Sequence, residues 1–280
     1  MNFRNLHNIL APLVAIAAPV LLAGCDGASV EINGEQGKKL AELDLSGAPP
    51  HQVVVLGPDT VNITSGAKLA ITVEGEGADQ LRFTLKDGTL AVLREGKLWT
   101  GPSKAVVHVT MPAPDELVMT GSGRINAGAL AAKAKVSILG SGDVATTQVA
   151  SERLEANIIG SGSYRASGSA AELKLTIMGS GNADMAALKA GGAKVSIVGS
   201  GSGAFASDGT VKASIMGSGS VKVAGRASCT VSAMGSGKLV CEPGNGPVVH
   251  TEGHDDDEDK AEDAAEKAAD AADKAADKTN

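Results

Sequence analysis

The chain has 280 residues, 43% hydrophobic but only 2% aromatic, and its 36 glycines amount to about 13% of it, near twice the ordinary share. Ala, Val, Leu and Ile supply enough apolar matter for one sizeable core, which excludes disorder over most of the length and argues against an ordinary mixed globular enzyme. The formal charge of −7 resides in residues 255–280, with eleven Asp/Glu against four Lys; the rest balances 21 acids with 21 bases, too neutral a body for nucleic acid as a partner.

Residues 1–24 read as a signal peptide: Arg4 lies in a short polar region, and the apolar run from Ile9 to Ala23 is too short to span a bilayer comfortably. Leu22-Ala23-Gly24-Cys25 resembles the lipobox of bacterial lipoproteins. That resemblance implies cleavage before Cys25 and diacylglycerol on its thiol, and each buried acyl CH₂ adds about 0.8 kcal/mol to membrane attachment. Asp26 resembles the inner-membrane retention signal of enteric bacteria, but inner and outer membrane both stay open. Residues 25–43 read as a linker.

Strand patterning starts in the next segment. Gln52–Leu56, Leu69–Val73, Leu90–Leu93 and Ala105–Val109 are β-like runs between Gly, Asp and Pro turns. Residues 44–120 therefore form irregular first coils or a β cap over the open end of the repeat region.

The repeat region itself occupies 121–248. Gly-Ser-Gly recurs as Gly121-Ser122-Gly123, Gly140-Ser141-Gly142, Gly160-Ser161-Gly162, Gly179-Ser180-Gly181, Gly199-Ser200-Gly201, Gly217-Ser218-Gly219 and Gly235-Ser236-Gly237, at spacings of 19, 20, 19, 20, 18 and 18. Such a period marks a solenoid. Two residues before most corners stands Ile (Ile138, Ile158, Ile177, Ile197, Ile215), three before stands Ser, Asn or Thr, and four before is apolar, the alternation of a strand with one buried face. After the corner the inward positions continue with Ile125 and Ala127, Val144 and Thr146, Val221 and Val223, Leu239 and Cys241. The expected fold is all-β, a single-stranded parallel β-helix of about 19-residue coils, right-handed by the preference of parallel crossovers. A narrow interior of stacked Ile, Val, Leu and Ala also accounts for the scarcity of aromatic rings.

Gly57-Pro58-Asp59-Thr60-Val61, then Asp87-Gly88-Thr89-Leu90, then Val118-Met119-Thr120-Gly121-Ser122-Gly123 and its recurrences resemble the putative auto-transporter adhesin head GIN domain family over roughly residues 44–245. The resemblance implies a right-handed β-helix exported to the bacterial envelope, often as a lipoprotein. It carries fold firmly and function loosely, the adhesin label being provisional.

Chemistry is sparse. The corners lack the helix that a nucleotide-binding glycine loop requires, since strand-like residues come after each one. Three past the first glycine the column reads Arg124, Asp143, Ser163, Asn182, Ser202, Ser220 and Lys238, with no recurring carboxylate pair for a carbohydrate-cleaving β-helix. His51, His108, His250 and His254 have no zinc spacing, so no metal or cofactor is expected. The corner serines serve the turn first and a ligand-facing hydroxyl ladder second. Cys229 and Cys241, six before and six after Gly235, are expected to form a disulfide in an oxidising compartment, with free buried thiols as the alternative.

Two accounts fit the apolar residue just before each corner: Leu139, Ile159, Met178, Val198, Met216 and Met234. A bulge at the glycine turns it inward, the preferred account; otherwise it forms an exposed stripe suited to self-association. Residues 249–280 are an acidic tail, disordered or helical, in which alanine pairs recur at helical steps. The expected function is a non-enzymatic, lipid-anchored module of the bacterial cell envelope, adhesin-like or structural. It would contact the membrane through its lipid and take a protein or glycan ligand of unknown identity. A periplasmic ligand-binding or sensing module is the alternative, and a carbohydrate-active enzyme a remote one.

Overall fold

The computed structural model describes residues 31–32, 35–94, 105–242 and 249–251. Nearly all of it is strand, wound into a β-solenoid of about seven turns. Two short strands, β1 (Glu31–Ile32) and β2 (Glu35–Gln36), pair antiparallel before the body begins. The body opens with β3 (Gln52–Leu56), β4 (Thr60–Ser65), β5 (Ala70–Glu74), β6 (Leu81–Lys86), β7 (Thr89–Arg94), β8 (Val106–Met111), β9 (Glu116–Gly121) and β10 (Arg124–Ala129). It continues through β11 (Lys133–Gly140), β12 (Asp143–Gly160), β13 (Ser163–Gly179) and β14 (Asn182–Gly199). It closes with β15 (Ser202–Ser207), β16 (Thr210–Gly217), β17 (Ser220–Ala224), β18 (Ser228–Met234), β19 (Lys238–Cys241) and β20 (Val249–Thr251).

Around the corners the strands stack in parallel with equivalent positions in register, and the register shifts only farther along the coil, as between Thr146 and Val149. Gly160 pairs with Gly140 below and Gly179 above, and the ladder passes on to Gly199 and Gly217. The first glycine of each corner explains why the stack demands this residue twice over. Its φ lies between 108° and 120° in all seven corners, a region L side chains rarely enter. A Cβ on Gly179 would also stand 2.5 Å from the carbonyl oxygen of Gly160 in the coil below. The third residue is glycine for a different reason: a Cβ on Gly181 would stand 2.4 Å from Cγ2 of Ile158, one coil below. The serine between them is exposed in every corner.

The isoleucine ladder is the spine of the core. Ile138, Ile158, Ile177, Ile197 and Ile215 are all at most 1% exposed and pair in sequence from coil to coil. Past the corner, Ile125, Val144 and Val221 are equally buried. Aromatic rings, though scarce, do enter this interior. Tyr164, Phe83 and Phe205 are among its largest fully buried side chains. Neighbouring rungs make the room: Tyr164 stacks on Ala183, which stacks on Gly203, so a large ring is followed by two small residues in its column. The Tyr164 hydroxyl and the buried Thr146 hydroxyl, one rung away, hydrogen-bond at 2.9 Å, which satisfies both inside the core. Burial pushes the Tyr164 phenol well above its ordinary pKa.

The column just before the corner does not turn inward. Met178, Val198, Met216 and Met234 are 39%, 42%, 52% and 65% exposed, and Leu139 and Ile159 are half-buried. The preferred bulge is therefore incorrect. Each of these residues keeps its partner in the adjacent coil up to the glycine, for example Ile159 with Met178 and Val198 with Met216. The chain turns at the glycine itself, so strand alternation still sends the preceding side chain outward.

The first coils are stacked out of chain order. β3 lies between β7 and β9, and β4 lies between β8 and β10, so the coil made first is sandwiched by two made later. β6 pairs antiparallel with β7 and β5 antiparallel with β8, adding a cap to the outermost coil. Register also places Gly57-Pro58-Asp59 at the corner, since Leu56 pairs with Thr120 just before Gly121. Gly57 carries the positive φ, 141°. Asp59 takes the third place and is 1% exposed, while the Arg94 guanidinium, at the end of β7, grips its carboxylate with both Nε and an Nη. Arg94 also donates to the Gln80 side chain at 2.8 Å, tying the cap to the coil beneath it.

These contacts make two expectations about stability. Gly179→Ala is expected to destabilise by about 1–3 kcal/mol through its backbone strain and clash. Gly128→Ala, whose new Cβ would meet nothing closer than 3.9 Å, is expected to stay within about 0.5 kcal/mol of wild type; chemical denaturation of both variants checks the pair. Arg94→Ala removes the two-point guanidinium contact to the buried Asp59 carboxylate and the bond to Gln80, and is expected to cost about 2 kcal/mol or more, with the loss of amide protection starting in β5–β7 under native-state hydrogen exchange.

Candidate functional site

Because equivalent residues stack rung on rung, a single position in the repeat becomes a column on the surface. Four such columns share the outward face that leads into the corners. Five before the glycine run Glu116, Lys135, Glu155, Lys174, Lys194, Lys212 and Thr230. Three before run Ser137, Asn157, Thr176, Ser196, Ser214 and Ser232, and one before runs the apolar column from Leu139 to Met234. The corner serines make the fourth. None of their hydroxyls has a hydrogen-bond partner among the described residues, so the turn rests on glycine geometry and backbone bonds, such as Ser180 N–H to the Gly160 carbonyl at 2.9 Å. The serines therefore form an open row of hydroxyls directed at solvent.

This face changes character along the stack. At its beginning the outward side chains Val54, Leu56, Ala91, Leu93 and Val118 form a second, smaller buried cluster, with Leu139 packed against it. Ser137 lies beside this cluster, and its hydroxyl is buried with no hydrogen-bond partner among the described residues. Farther along, the face is bare. Charges likewise begin paired, Lys135 with Glu116 at 3.0 Å and Lys174 with Glu155 at 3.1 Å. Lys194 and Lys212 have no acid partner among the described residues. Gly192, which stacks on Glu172, contributes no side chain, and there the surface opens into a groove of about 390 Å³ lined by Arg153, Glu172, Lys174, Lys194, Thr210 and Lys212.

On the other side of the corner, the mixed column from Arg124 to Lys238 is hydrogen-bonded in two stretches, Arg124–Asp143–Ser163 and Asn182–Ser202. Arg124 meets Asp143 at 2.9 Å, the Ser163 hydroxyl donates to the same carboxylate, and Ser202 donates to Asn182 at 2.7 Å. Burial pushes the Asp143 carboxyl up, but the Ser163 hydrogen bond and the Arg124 guanidinium, with Arg165 nearby, outweigh it and hold the group below its ordinary range. The arrangement neutralises charge between rungs; it does not set two carboxylates across a gap as glycoside hydrolysis requires.

Cys229 and Cys241 are joined by a disulfide across the last corner, their Cα atoms 6.8 Å apart. His51 bonds Asp115 at 3.0 Å and His108 bonds Glu74 at 2.9 Å, each on the surface and each far in sequence from its partner. No group of three or more His, Cys, Asp or Glu that could hold a metal ion occurs among the described residues. Cys25, His254 and the acidic run lie outside the described residues. Sequence reasoning missed the Asp59–Arg94 pair, since neither residue belongs to a repeat; the signal available was Gly57-Pro58-Asp59 standing one repeat before Gly121 in register but not in chain distance.

Asp143 yields a pH prediction. Its pKa is lowered in the fold, so its pairing stabilises the native state above the unfolded value of about 3.9 and that contribution is lost as pH falls through the lower folded value. Wild type is expected to be more stable than Asp143→Asn at about pH 6, with the difference shrinking below about pH 4; urea unfolding at a series of pH values measures it.

Comparison with known proteins agrees with this geometry. Residues 49–227 match the family described as putative auto-transporter adhesin, head GIN domain. The crystal structure of a putative adhesin from Bacteroides fragilis NCTC 9343 superposes with a TM-score of 0.64 at 19% identity, covering 69% of this chain and 93% of that one. A putative lipid binding protein from Parabacteroides distasonis ATCC 8503 gives 0.55 at 18% identity, over 70% and 93% of the two chains. A putative adhesin from Parabacteroides merdae ATCC 43184 gives 0.51 at 19% identity, over 69% and 92%. No curated protein matches in sequence. At these identities the neighbours speak for the fold, and the family match covers well over half of the chain: the protein belongs to the auto-transporter adhesin head GIN domain family.

Proposed function

We propose that the chain is a non-enzymatic, adhesin-like display module of the bacterial cell envelope, held to a membrane through diacylglycerol on Cys25. The observation that carries this reading is the outward face itself. It is built of ladders of Ser, Thr, Lys and apolar side chains, and its corner hydroxyls are unengaged by the described residues. Such a face suits an extended protein or glycan partner better than a small substrate, because the ladders repeat one contact at intervals of about 4.8 Å instead of converging on a reacting atom. Family membership and the lipobox resemblance at Leu22-Ala23-Gly24-Cys25 support envelope placement.

Two measurements test it. Intact mass spectrometry of the mature protein is expected to show a chain beginning at Cys25 with an acyl mass, and Cys25→Ala is expected to release the protein from membranes; a start elsewhere, or an unmodified Cys25, contradicts the anchor. Protease added to intact cells is expected to digest the protein. Protection until the outer membrane is opened would favour a ligand-binding or sensing role inside the periplasm.

A further inference from the structure

We propose that residues 252–280, the acidic end of this chain, fold back onto the solenoid and dock in the channel between the Lys174–Lys194–Lys212 column and the Met178–Val198–Met216–Met234 stripe. Four observations converge on this occupant. The first is where the described chain ends. β20 pairs in parallel with β18, Thr251 opposite Ser232, so the described part of the chain ends in register with the serine column that forms the channel floor.

The second is charge. Lys174, Lys194 and Lys212 stand on successive rungs, about 4.8 Å apart, where like charges repel. Only Lys174 has an acid partner among the described residues, Glu155. Earlier in the same column the repulsion is relieved by alternation, Glu116, Lys135, Glu155, Lys174; the last two lysines break that pattern. The 29 residues from 252 to 280 carry twelve Asp/Glu and four Lys, a net complement of opposite sign tethered beside them.

The third is shape. The channel has lysines along one wall, exposed Met and Val along the other, and Thr176, Ser196, Ser214 and Ser232 as a floor of small side chains. The walls are four residues apart along the strand, about 13 Å, which admits one helix about 10 Å across. The alanine pairs at 264–265, 268–269, 271–272 and 275–276 recur on a helical period, giving a low apolar side for the Met/Val wall with acids beside it for the lysines. A helix over 261–276 would be about 24 Å long, enough to cover the roughly 14 Å from Met178 to Met234.

The fourth is area, which disfavours a second copy. A stripe roughly 14 Å by 10 Å offers about 140 Å² per partner, far below the roughly 800 Å² of a stable protein interface. Tethering removes that requirement, because the tail is present at an effective concentration in the millimolar range.

The test uses the full chain as an equal mixture of ordinary and ¹⁵N-labelled protein, treated with a zero-length carbodiimide cross-linker. Amide bonds are expected between Lys194 or Lys212 and carboxylates of 255–277, within light–light and heavy–heavy peptide pairs only. Mixed light–heavy pairs would assign the face to a second copy and overturn the proposal. Methionine oxidation supplies the second readout: Met216 and Met234 are expected to oxidise several-fold faster in a chain ending at Thr251, in Lys194→Glu/Lys212→Glu, and in high salt. Met119 and Met185, both fully buried, should stay protected throughout, which shows the variants are folded. Unchanged Met216 and Met234 rates in all three conditions, with no tail cross-links, would overturn it.

Discussion

Everything in this molecule depends on a close approach of backbone to backbone at one corner per turn. The carbonyl oxygen of one corner glycine occupies the space into which the next coil's corner residue would place a Cβ, 2.4 to 2.8 Å away in six consecutive corners. Only glycine tolerates both that approach and the positive φ. Because the chain turns at the glycine in every coil, strands on either side stay in register, and register decides which side chain faces inward. The isoleucine ladder, the serine row and the methionine stripe are consequences of this one constraint.

Repetition then gives the surface its properties. A solenoid cannot concentrate unlike groups at one point easily, since each position is copied along a column; it can present the same group many times. This is why the ladder Arg124, Asp143, Ser163 resolves into internal hydrogen bonds, and why departures from repetition carry the information. Three departures stand out: Gly192 in place of a long side chain, which opens the groove; Lys194 and Lys212 after Lys174 without alternating acids; and Asp59 in place of a corner glycine, where the buried carboxylate recruits Arg94 from the end of β7. The cap itself answers the physics of an open stack, since antiparallel β5 and β6 supply partners to edge strands that would otherwise be exposed to another chain.

The repeat region was readable from sequence because its signal is local and recurrent: a glycine pair, an Ile two residues earlier and a polar residue between them state both the corner and the buried face. Stacking order at the beginning was not readable, because β3 pairs with β7 and β9 through contacts that bypass chain order and carry no spacing signature. The outward column before the corner was misjudged for a different reason. Apolar character at Met178 and Met216 suggested burial, whereas strict alternation from Ile177 and Ile215 already pointed them outward, and alternation prevailed. The burial of Tyr164 was likewise invisible, since the compensating Ala183 and Gly203 sit in other repeats. For the outward face, the residues could be named from sequence, but which of them retain no partner depended on pairings between coils.

The most direct test of the account compares two adjacent residues. Ile177 is fully buried and Met178 is 39% exposed, although they are neighbours in one strand. Urea unfolding of Ile177→Asp is predicted to show a loss of about 4 kcal/mol or more, from an unpaired carboxylate in the stacked core. Met178→Asp is predicted to lose no more than about 1 kcal/mol. Equal losses in the two variants, or a larger one at Met178, would contradict the register on which the whole stack rests.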